Sequence, residues 1–329
     1  MELWGKNILL LAALFMAMTV LSACSGMRPH RLPLASLRGV SGRFPIGYII
    51  RVETGKAVSF EQLIDQLGHK DLIFIGEVHD NPEHHLIQVQ ILQALSARYN
   101  PMVLAMEPFR RTQQPIVDRY VKGAISETTF LKDLNWRKSW AFDFHYYRPL
   151  MLVAREKGLK VLAINAPKDL IKKVARSGLD SLDANERSQI ADTIDLSRKG
   201  HRARLREVYG RHTHKDLKKF EYFYQAQCVW EDTMAESIAK YLRSHGEKMV
   251  VLTGNGHIVD KSGIPDRAVK RVPADLATIV LYPLTGQEII EKETADYIWL
   301  TGDYSRRRLI PHHGHVHMRQ VNTVKNPGP

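Results

Sequence analysis

Two short segments hold the side chains best suited to chemistry. Gly76-Glu77-Val78-His79 and Gly254-Asn255-Gly256-His257 share the form Gly-x-x-His, and each follows an apolar run, LIFI or MVVLT. A third apolar run, MVLAM, leads into Glu107. Two imidazoles and two carboxylates can exchange protons as general acids and bases. They can also bind a divalent metal. Glu77, His79, Glu107 and His257 are therefore the candidate catalytic groups if the protein is an enzyme, and His79, His257 and Glu77 the candidate metal ligands. The glycines would let the chain leave each strand sharply. A histidine at one strand end is an ordinary loop residue. The same form on two distant strands is harder to dismiss, because a parallel sheet would place them side by side.

These residues need a scaffold, and the pattern around them supplies one. Short apolar runs at 71–75, 102–106, 160–164, 249–253 and 277–281 alternate with helical patterns, with a further run at 297–300. Wholly apolar strands separated by helices predict a mostly parallel α/β sheet covered on both faces. Ligands of such sheets bind beyond the carboxyl ends of the strands. Tyr48–Val52 reads as an edge strand, and residues 59–67 as a helix capped by Ser59 with Gln62 completing the box. Asp80 or Asn81 would cap a helix from Pro82 to Arg98, with Pro82 suited to its first turn. Residues 110–158 and 168–243 carry helical patterns without strand signals, and are expected to form a smaller inserted helical lobe. The domain is placed at 46–302, after a tether at 24–45 rich in Pro, Gly, Arg and Ser, and before a basic, His-rich tail at 303–329.

Other residues could line the same edge. His84 and His85 fall in the first turn of the helix, and sequence cannot say which faces the crevice. Arg110 and Arg111 could hold an anionic group or pair with Glu107. The stretch WRKSWAFDFHYYRP, residues 136–149, is dense in aromatic rings and includes Tyr146 and Tyr147. It could form a flat apolar wall or simply a core between helices. In the helical pattern 215–243, Glu231 reads as part of a solvated face.

The first residues differ in kind. A single Lys, an apolar stretch from Ile8 to Leu21 and the sequence Leu21-Ser22-Ala23-Cys24 describe a signal peptide over 1–23. Leu-Ser-Ala-Cys resembles a bacterial lipobox, which implies lipidation of Cys24 and a lipid-anchored place in the cell envelope, at the outer membrane by the residue that follows. The other cysteine, Cys228, reads as a small buried thiol. Net charge is +12, which favours acidic lipid or anionic ligands. Nucleic acid is not an expected partner, since the export signal removes the chain from it and no recognition motif is present.

Taken with Met106-Glu107-Pro108-Phe109, Trp140–Pro149, Gln227–Ala235 and Asp296–Trp299, the two Gly-x-x-His segments resemble those of the ChaN-like haem-binding lipoproteins, within the Tiki/TraB/erythromycin-esterase-like superfamily. The resemblance covers roughly residues 45–305. It implies a parallel sheet with flanking helices, a haem ligand and a role in iron acquisition. It also implies a tyrosine on the iron, and in one case haem held between two subunits of a homodimer. Tyr146, Tyr147, His85 and Arg110 are then the haem-binding candidates. Other branches of the superfamily imply the alternative, a metal-dependent hydrolase of peptide or ester bonds.

Overall fold

The computed structural model describes residues 32–211 and 219–304. The signal peptide, Cys24 and the cluster His312 to His317 lie outside the described residues. The chain divides at Pro33/Leu34, and all that follows concerns the unit from Leu34 onward.

Among the described residues, eleven strands run in chain order: β1 (Leu34–Leu37), β2 (Phe44–Pro45), β3 (Ile49–Arg51), β4 (Lys56–Val58), β5 (Leu72–Glu77), β6 (Met102–Arg110), β7 (Lys160–Asn165), β8 (Lys248–Gly254), β9 (Leu276–Leu284), β10 (Gln287–Ile290) and β11 (Tyr297–Gly302). Eight of them form one sheet in the order β4-β3-β11-β9-β5-β8-β6-β7. From β11 to β7 every neighbouring pair is parallel, and β3 and β4 add an antiparallel edge. The expected mostly parallel α/β sheet is therefore present.

Side chains alternate between its two faces. Ile73, Ile75, Leu104, Met106, Val250 and Leu252 point into one apolar cluster, and Leu72, Phe74, Val103, Ala105, Met249 and Val251 into another. The helix Pro82–Arg98 covers the first face with Ile87, Ile91, Leu92 and Leu95. Each such buried side chain contributes roughly 1.5–3 kcal/mol. The helices Phe220–His245 and Ile264–Arg271 cover the second with Met234, Ile238, Ile264 and Ala268. The chain thus leaves β5 over one face and β8 over the other. Adjacent strands whose connections part in this way open a crevice at their carboxyl ends.

Local signals act as expected. Asn81 accepts the amide of Glu83 at the start of the helix Pro82–Arg98, and Ser59 and Gln62 form their capping box. Two boundaries differ from expectation. Residues 34–37 and 44–45, assigned to the tether, form a small sheet with β10, because Ala35, Leu37 and Phe44 bury against Ile290. Residues 110–158 do not stand apart as a lobe. Val117, Phe130, Trp136 and Phe144 join the same cluster as the strand residues Ile73 and Leu104. Within 168–243, only the first half of the helix Phe220–His245 builds separate small clusters, with Leu170, Val174 and Leu205. Helical periodicity reports a buried face, and does not report what that face packs against.

Candidate functional site

Strands β5, β8 and β6 are neighbours, and their ends bring the predicted residues together. In register, Glu77 lies opposite Gly254, and Met106, just before Glu107, opposite Leu252. The two glycines serve close approach rather than a sharp turn. Neither has positive φ, and Gly254 sits at φ −59°. A Cβ on Gly76 would lie 2.1 Å from Asn255 Oδ1, and one on Gly254 would lie 2.9 Å from His79 Nε2. The missing side chains let the two turns interlock and let the His79 ring settle over the end of β8.

Two carboxylate–imidazole groups result. In the first, Glu77 Oε1 lies 2.6 Å from His79 Nδ1 and accepts a hydrogen bond of 2.9 Å from the Tyr147 hydroxyl. His85 Nδ1 lies 3.3 Å from the other carboxylate oxygen. Burial alone would raise the Glu77 carboxyl, but His85, His79 and Tyr147 outweigh it and hold it down to about 2. Burial and the Glu77 charge push the Tyr147 phenol well above its ordinary value.

In the second group, Glu107 Oε2 accepts from Thr253 Oγ1 at 2.6 Å and from the Gly254 amide at 2.7 Å. Its other oxygen lies 3.5 Å from His257 Nε2. The opposite nitrogen of His257 lies 3.3 Å from Glu231 Oε1. Glu231 is fully buried, with Oε2 placed 3.0 Å from His201 Nε2 and 3.4 Å from Arg267 Nε. Arg267 in turn pairs with Asp232. Burial opposes charge on Glu107, yet His257 and His79 hold it down to about 2. Burial likewise opposes charge on His257, yet Glu107 and Glu231 raise it to about 9. His79 is raised too, with burial overcome by Glu77 and Glu107.

The histidine pair in the helix divides cleanly. His84 accepts from the Val78 amide at 2.8 Å, so its other nitrogen carries the proton and donates to Thr301 Oγ1 at 2.8 Å. Burial pushes it down to about 3, and it fastens the turn after β5 to β11. His85 faces the site. Its ring stacks on Tyr146 with centroids 5.0 Å apart and planes 4° from parallel. Trp140 and Phe142 lie against His79, at 5.0 and 4.8 Å between centroids. The aromatic segment therefore both lines the site and packs the core. Tyr147 is buried while Tyr146 is half-buried.

Several expectations change here. Among the described residues, no three His, Cys, Asp or Glu side chains are placed to hold a metal ion. The set His79, His257 and Glu77 does not form such a group, because Glu77 pairs with His79 and His85 whereas His257 lies between Glu107 and Glu231. Neither arginine after Glu107 pairs with it. Arg111 bonds Ser237 Oγ, the Thr233 carbonyl and Glu236, whereas Arg110 makes no ion pair among the described residues. Glu231 is not on a solvated face.

The family model described as "Haem-binding uptake, Tiki superfamily, ChaN" matches residues 63–268. The chain belongs to this family. A solved structure titled as cofacial heme binding to ChaN of Campylobacter jejuni is 22% identical, covers 76% of this chain and 95% of that one, and has a TM-score of 0.61, so the fold is shared. An erythromycin esterase, EreC, in its open conformation is 12% identical over 72% of this chain and 76% of its own, at a TM-score of 0.45. Among curated proteins, RETICULATA-RELATED 5, a chloroplastic protein of Arabidopsis thaliana, is 22% identical over 71% of this chain, which spans about a third of that relative's length (34%).

Family membership leaves the second half of the site to be explained by this sequence. Spacing does not single out His201, Thr253 or Arg267, and Glu231, read from the sequence as solvated, is buried. A signal for Glu231 was present. Tyr224, Cys228, Glu231, Ala235, Ile238 and Leu242 recur at spacings of three and four, and all are buried. A carboxylate standing within an apolar stripe marks a buried partner. A surface concavity lined by residues 193–197, Lys270 and Arg271 contains none of the strand-end residues.

Proposed function

We propose that the chain is a lipid-anchored haem-binding protein of the cell envelope that takes part in iron acquisition, with Tyr146 as the residue offered to the iron. Family membership supports the ligand. The observation that carries the choice of residue is the contrast between adjacent tyrosines. Tyr147 is buried and its hydroxyl donates a hydrogen bond to Glu77, so it is held as the neutral phenol. Tyr146 is half-buried and lies flat on His85, in the aromatic segment that also supplies Phe142 and Trp140. Tyrosine is an established type of haem-iron ligand. The surrounding rings suit the flat apolar body of a porphyrin, so the residues present fit the group. A bound haem supplies the redox-active iron. The chain's own part is to stack, orient and shield it.

Titrating haem into the mature domain should give a saturable Soret shift. Tyr146→Phe should lower affinity on the order of tenfold or more and change the charge-transfer bands, since losing even an outer-shell partner weakens metal sites by roughly 10–100-fold. Tyr147→Phe should keep the wild-type spectrum. A normal spectrum in Tyr146→Phe, or no saturable shift in wild type, refutes the assignment. The anchor rests on the motif ending at Cys24. In a bacterial host, radiolabelled palmitate should enter the wild-type chain and not Cys24→Ser, while equal labelling of both would remove the anchor.

A further inference from the structure

The side of the crevice away from the aromatic wall carries charge that no ion pair among the described residues neutralises. Arg110 ends β6 and lies in register with Asn165, the last residue of β7. Lys168 opens the helix Lys168–Ser177 just beyond, and Lys172 follows it one turn later on the same side. None of the three has an ion-pair partner among the described residues. The groups that act most strongly on the Lys168 ammonium, besides its own burial, are Lys172 and Arg110, all of which lower it. Asp169, the acid of that first turn, is exposed and projects from a different side of the helix. Pro167 precedes the helix, and no side chain caps it, so its positive end adds to the same field. Arg111, one position on, shows the contrast, being tied to Glu236 and Ser237.

This cationic edge is joined to the central site. Asn165 donates to the Glu107 carbonyl at 2.8 Å and accepts from the Trp230 indole, whose ring lies 4.8 Å from that of His257. We infer that Arg110, Lys168 and Lys172 form an oxyanion subsite that receives the carboxylate or phosphate arm of a ligand whose apolar body lies in the crevice. The part concerning haem rests on the function proposed above, in which case the arm is a propionate. The geometry suits it, since Arg offers a planar fork and Lys a compact charge to such groups.

Two measurements on the full mature chain test this. In the first, haem and haem dimethyl ester are titrated into wild type and into the triple variant Arg110→Gln, Lys168→Gln, Lys172→Gln. Removing these charges should weaken haem about tenfold or more and leave the ester unchanged. In the second, 50 mM inorganic phosphate is compared with sodium chloride of equal ionic strength by thermal unfolding. Phosphate should raise the wild-type Tm and fail to raise that of the variant. If wild type binds no haem but keeps the phosphate shift that the variant lacks, the subsite stands and the haem function falls. If acid and ester bind alike and phosphate does nothing specific, the subsite falls while the haem function stands. Equal phosphate shifts in wild type and variant also overturn the subsite.

Discussion

Glu231→Ala should cost about 3–5 kcal/mol of folding stability, the usual cost of removing one partner from a buried charged group. Its carboxylate stands between His257, His201 and Arg267, and the side chains of His201 and Arg267 are fully buried. Arg267 retains Asp232, which places the expectation toward the lower end of that range. The same substitution should move the His257 imidazole back down from about 9, since Glu231 is one of the two carboxylates that raise it. Urea unfolding measures the first effect, and an NMR titration of the His257 ring the second. A loss below about 1 kcal/mol, the size expected of an exposed pair, would show that the network does not carry stability. An unmoved His257 would show that Glu107 alone sets its charge.

Stability should also peak near pH 6.5 and fall on both sides, for different reasons. His257 is raised from 6.5 to about 9 in the folded protein. Its contribution is complete below 6.5 and is lost as pH rises through 9, a change on the order of 3 kcal/mol. His84 is depressed from 6.5 to about 3, so its contribution is present above 6.5 and is lost as pH falls toward 3. Glu77 and Glu107, held down to about 2, add a second acid limb as pH drops from 4.5 through 2. Unfolding free energies measured from pH 4 to 10 should show the peak. His257→Gln should flatten the share of the alkaline limb that His257 supplies, and should also weaken the Glu107 share of the acid limb, since His257 is the main group holding that carboxyl down, while the His84 share remains. An alkaline limb of unchanged slope in His257→Gln would refute its assignment to this residue.

Residues that look alike in sequence take separate roles in the fold. His84 and His85 are adjacent, yet one is a neutral structural bridge to Thr301 and the other faces Glu77 and Tyr146. Tyr146 and Tyr147 divide in the same way. A helix turns 100° per residue, so neighbours on it face different surroundings, and only the packing partner shows which residue faces the ligand.

Much of the architecture is legible in the sequence. Runs such as LIFI, MVLAM and MVVLT are wholly apolar because strands in the middle of a covered parallel sheet are buried on both faces. Their ends therefore stand out as the first polar residues, which is why Glu77, His79, Glu107 and His257 could be read as one edge. The caps at Ser59 and Asn81 were legible because they are local hydrogen bonds within a few residues. Strand order was not legible. Nothing in the sequence states that β8 inserts between β5 and β6, the arrangement that sets Glu77 and Glu107 on either side of Gly254.

The sequence by itself determined the element types, the sheet-edge location of the site and the identity of its central acids and imidazoles. Those follow from periodicity and from local bonding. Only the tertiary structure decided that the two glycines make room rather than turns, that Glu231 is buried beneath His257, and that Tyr147 is committed to Glu77. It also decided that Arg111 is tied to Glu236 while Arg110 has no ion-pair partner among the described residues. Each of these depends on contacts between residues far apart in the chain. Such contacts are fixed by which faces pack together, and that choice leaves no local trace in the spacing of the residues that make it.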